Sequence, residues 1–63
     1  MNSIQEWLNN QQKMLDRAIV ATPTEEVLDM FAQSNRGVND FLLMQMAKNY
    51  GYQLALDHLT EQL

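Results

Sequence analysis

His58 is the one imidazole in this chain of 63 residues, and Asp57 and Glu61 stand beside it in the sequence. Residues 57 and 61 are four apart, so on a helix both carboxylates would share a side with the imidazole between them. Such a trio could gather a cation or orient a base. Nucleophilic catalysis needs more: a Ser, Thr or Cys held against the base, and an acid to orient it. The chain has no cysteine. Its serines are Ser3 and Ser34, each outside any GxSxG pattern, and there is no phosphate-binding glycine loop and no HExxH. Nor does either serine stand in the Asp-Ser-Leu setting of an acyl carrier protein. The trio therefore reads as a solvated helical surface, and the chain as non-enzymatic, with no catalytic residue, cofactor or metal site.

Composition narrows the remaining classes. Eight acidic and four basic residues give a net charge of −4. A nucleic-acid-binding surface draws affinity from phosphate neutralisation by Lys and Arg, so this balance disfavours one. No signal peptide is expected from MNSIQEWLNNQQK, which lacks a basic stretch followed by an apolar core. The apolar runs are too short for a membrane span, and a cytoplasmic location is the expectation.

The elements that must position any surface are helical. Ser3 and Glu6 fit a capping box. Ile4, Trp7, Leu8, Met14, Leu15, Ala18 and Ile19 follow at three- and four-residue spacing, interrupted by Gln11. This predicts a first helix over 3–21, ending before Pro23. Thr22 reads as the next N-cap, with Pro23 at the first helical position, Glu25 completing the box, and Val27, Leu28, Met30 and Phe31 as its apolar side. That helix is expected over 23–33. Ser34 to Gly37 reads as a turn. Asn39 is the cap of a third helix over 39–63, with Val38 and Leu43 as a hydrophobic staple. Gly51 sits where this helix either kinks or breaks into two. The fold class is all-α, with three helices, or four if Gly51 breaks the last, in a single domain over 1–63.

The helix–turn–helix outline of residues 22–47 raises a rival reading as a small DNA-binding regulator. The phrases EEVLD and RGVND resemble the helices of Arc-like ribbon-helix-helix repressors. That resemblance implies a short strand ahead of the first of these helices, where this sequence has the end of an amphipathic helix. Arg36 would be the phosphate or base contact. The helix after the turn opens NDFLLMQ, with an acid where a phosphate would approach.

The strongest signal is an apolar surplus. Phe41, Leu42, Leu43, Met44, Met46, Ala47 and Tyr50 spread round most of the third helix, which must then be covered on several sides. A chain this short has little core of its own, and with neither disulfide nor metal available, association is the remaining source of stability. The expectation is a helical homodimer that binds another protein as a regulator or adaptor, as small phage or plasmid accessory proteins of this size do. Its interface is placed at Ile4, Trp7, Phe41, Leu43, Met44, Gln45, Tyr50 and Tyr52. Gln45, the polar residue within FLLMQM, is expected to seek its hydrogen-bond partner in that interface.

Overall fold

A computed structural model describes residues 3–34 and 40–63 and contains three helices: α1 (Ser3–Asp16), α2 (Glu25–Ser34) and α3 (Asp40–Glu61). No strand occurs among the described residues. The expected cap at Asn39, the Val38 staple and the 35–37 part of the turn, Arg36 included, lie outside them.

Helix α3 is the spine. It runs without a break through Gly51, so the kinked-or-broken alternative resolves to one continuous element. A side chain added at Gly51 would meet nothing within 4 Å, and its backbone is not in the left-handed region. Neither packing nor backbone geometry therefore requires the glycine, and its helix-propensity cost of about 1 kcal/mol is carried by the long helix around it. Helix α1 packs antiparallel on the C-terminal half of α3, since Gln11 and Gln12 meet Tyr52 and Gln53 while the later Val20 meets the earlier Asn49. Helix α2 packs on the N-terminal half, with Glu25 beside Tyr50. Both flank α3, and among the described residues they do not touch each other.

Two helix boundaries differ from those predicted. Helix α1 ends at Asp16, not near residue 21. Arg17 N–H still donates to the Lys13 carbonyl at 3.1 Å, but Ala18 N–H reaches only Leu15, three residues back. Beyond it the chain must cross from α1's flank of α3 to α2's. The Val20 carbonyl is engaged there by Asn49 Nδ2 at 2.7 Å, a tertiary bond. Ile19 and Val20 are β-branched and Pro23 follows shortly, so little local propensity opposes the extended path. Helix α2 starts at Glu25, and its cap is Thr24, not Thr22. Thr24 Oγ1 accepts from Val27 N–H at 3.3 Å, and the Thr24 carbonyl accepts from Leu28 N–H. Pro23 thus stands outside the helix. The hydroxyl of Thr22 is buried and finds no partner among the described residues.

The core is thin. Leu8, Leu15 and Leu56 form a cluster between α1 and α3, and Met46 is buried towards α2's half of the spine. No residue of α2 is fully buried; Val27, Leu28 and Phe31 are half-buried. The result is a slab of 47 × 21 × 12 Å. Its radius of gyration of 13.6 Å exceeds the roughly 10.6 Å of a compact domain this long.

Candidate protein-interaction surface

The seam between α1 and α3 divides the slab into two unlike sides. Leu8, Leu15 and Leu56 fill the seam. On one side Gln12 and Gln53 exchange reciprocal amide bonds: Gln12 Nε2 donates to Gln53 Oε1 at 2.8 Å and Gln53 Nε2 to Gln12 Oε1 at 2.6 Å. Each amide also reaches one turn along its own helix, to Asp16 and Asp57 respectively, at 3.0 Å. This side is polar and largely satisfied within the chain.

On α1 the step from Gln12 to Gln11 is about 100°, which carries Gln11 past the seam. There Gln11 Oε1 accepts from the Tyr52 hydroxyl at 2.7 Å. Beyond that bond the opposite side is apolar and open. Trp7 and Met14, two turns apart on α1, are 48 % and 64 % exposed, and Tyr52 and Leu59 on α3 are also exposed. Ile4 is exposed near the start of α1.

The same side continues along the N-terminal half of α3. Where α1 has ended early, Ala18, Ile19, Val20, Phe41, Gln45 and Asn49 line an open cleft of about 350 Å³. Ile19 stands fully in solvent on one lip and Phe41 is 73 % exposed on the other. From Phe41 to Leu59 the strip is about 27 Å long at 1.5 Å per residue. Among Trp7, Met14, Ile19, Phe41, Gln45, Tyr52 and Leu59 there is no ionisable carboxylate.

The eight positions singled out from sequence thus divide. Ile4, Trp7, Phe41, Gln45 and Tyr52 lie on the apolar side. Tyr50 and Leu43 are half-buried and turn towards α2, while Met44 is exposed between the two flanks. The Tyr50 hydroxyl lies beside the Glu25 carboxylate. Its pKa is raised above 10, first because burial disfavours the phenolate and then because Glu25 and Asp29 are negative. Gln45 does not depend on an interface for its partner: its Nε2 donates to Asn49 Oδ1 at 3.0 Å, and Asn49 passes its own amide to Val20.

Met14, Leu59, Ile19 and Asn49 were missed. The first three belong to apolar stripes whose exposed margin is invisible until packing is known. Asn49 carried a readable signal. Gln45, Asn49, Gln53 and Asp57 are spaced by four, and at 3.6 residues per turn such a row drifts about 40° per step. It therefore crosses the seam diagonally, from the cleft at Gln45, through buried Asn49, to the polar side at Gln53 and Asp57.

The trio His58, Asp57 and Glu61 is exposed. Among the described residues no three His, Asp or Glu side chains converge on a point that would hold a metal ion. No helix there is long and apolar enough to cross a membrane. Residues 17–24, where a ribbon-helix-helix protein would place its strand, form none. No protein-family model matches the chain, and no curated protein or solved structure shows significant similarity to it.

Proposed function

We propose that this chain is a non-enzymatic protein-binding regulator or adaptor that works as a helical homodimer. One observation carries the reading: the side of the slab bearing Trp7, Met14, Ile19, Phe41, Tyr52 and Leu59 is apolar and exposed, while the buried apolar residues described are Leu8, Leu15, Met46 and Leu56. Soluble monomers rarely leave so much contiguous apolar surface in water, and such surfaces serve association. Large aromatic and Met side chains are the residue types that anchor protein interfaces.

Light scattering at micromolar concentration is expected to give twice the 7.3 kDa chain mass. Trp7→Ser should reduce both this mass and capture of a partner from host extract. A monodisperse, stably folded monomer would refute the dimer. Salt-sensitive binding to duplex DNA that Arg36→Ala weakens would replace this reading with the DNA-regulator one.

A further inference from the structure

We infer that a second copy of this chain covers the apolar side, with the two α3 helices antiparallel about a two-fold axis near their midpoint. The ridge of each subunit, Trp7, Tyr52 and Leu59, then sits over the cleft of the other, between Ile19, Phe41 and Gln45. This rests on the homodimer reading above and adds its surface and register.

The first support is area. The chain exposes 5156 Å², against about 4,200 Å² for a folded monomer of its mass. The excess is roughly 1,000 Å² per chain, or about 2,000 Å² for a pair, which is what a stable protein interface buries. A slab only 12 Å thick also lacks the second layer against which domains bury an apolar side; a copy of itself supplies that layer.

Self-complementarity is the second support. A two-fold interface requires one patch to fit itself, with residue i on j and j on i. Here the cleft occupies the Phe41–Asn49 half of the strip and the ridge the Tyr52–Leu59 half. A two-fold placed between them exchanges ridge and cleft. That point falls near residues 50 and 51, the middle of Asp40–Glu61. A parallel arrangement would set ridge on ridge and cleft on cleft.

Charge gives the third. The chain is acidic, at −4, yet none of the described residues that form the strip is a carboxylate; Asp57 lies on the polar side, bonded to Gln53. Two copies can therefore meet without apposing their acidic surfaces. Among the described residues of the strip a basic partner would find no acid to pair with, and an acidic one would find Lys48 beside it.

The chain has no cysteine, so cysteine pairing reads the register directly. Lys48 and Ala55 are exposed on α3 and about 10 Å apart along it, too far for a disulfide within one chain. In the antiparallel dimer, with the two-fold near residues 50 and 51, Lys48 comes within two residues, about 3 Å along the helix, of Ala55 of the partner subunit. Mixing Lys48→Cys chains with Ala55→Cys chains under mild oxidation should give covalent dimers of one chain of each kind, at least tenfold over either variant alone. Leu59→Glu should raise the dimer dissociation constant at least tenfold with helical circular dichroism unchanged.

Covalent dimers formed equally well by either variant alone would mean parallel helices and overturn the register. Absence of mixed products in a chain that scatters as a dimer, or a dimer indifferent to Leu59→Glu, would place the interface elsewhere and leave the homodimer reading standing. A monomer at every concentration would end both.

Discussion

The two sides of the α1–α3 layer are built from the same two helices and the same leucine seam, yet they meet water in opposite ways. The polar side closes its hydrogen bonds inside the chain through Gln12, Gln53, Asp16 and Asp57. The apolar side leaves Trp7, Met14 and Leu59 in solvent, with the Gln11–Tyr52 bond as its polar link across the seam. Satisfied amides need no further partner, whereas exposed hydrocarbon gains free energy whenever it is covered. The difference teaches that the fold uses one side for its own stability and leaves the apolar residues of the other uncovered by its own described residues.

Substitutions in the seam and on each side test that division, and the seam sets the scale. Leu56, 3 % exposed, supports both sides at once. Leu56→Ala should cost about 2–5 kcal/mol, a large part of the roughly 3–9 kcal/mol available to a domain this size. Chemical denaturation should show the midpoint shifted well down by a loss of that size; a loss under 1 kcal/mol would mean that this seam is not the core.

Next in size is the reciprocal amide pair. Gln12→Ala and Gln53→Ala should each destabilise by about 1–2 kcal/mol, because each leaves a half-buried amide with a lost partner. The double variant should lose less than the sum, and a double-mutant cycle reads the coupling. Strict additivity would show that the two amides do not act as a pair, and the contrast between sides would fail.

The smallest effect is expected on the apolar side. Met14→Gln should change the stability of the chain, measured at a concentration where it scatters as a monomer, by no more than about 0.5 kcal/mol. Under the proposed homodimer the same change should weaken association, read by light scattering. A large loss of monomer stability would mean that Met14 belongs to the core after all.

Much of this architecture was legible in the residues. Three- and four-residue spacing specified the α1 stripe, and the surplus at Phe41–Met46 indicated a helix needing cover on more than one side. Less legible were the ends. Thr22 and Thr24 offer the same hydroxyl, and only the path of the chain across α3 selects Thr24 as the cap. Likewise the apolar spacing of α1 runs on to Ile19, but Asn49 holds the Val20 carbonyl and the crossing segment extends. Gln11 interrupts an apolar stripe in the sequence, and in the fold it is the acceptor for Tyr52.

By itself, the sequence determined the helical class, the order of the helices up to the choice left open at Gly51, the absence of cysteine chemistry and the presence of more apolar helix surface than so short a chain can bury. These follow from periodicity and composition, which are properties of local segments. Tertiary structure alone decided which edge of each stripe faces inward, because α1 and α2 take separate halves of α3 and leave one long side uncovered. That choice depends on contacts between residues some forty positions apart, such as Gln12 with Gln53, and no local pattern records where two distant helices will meet.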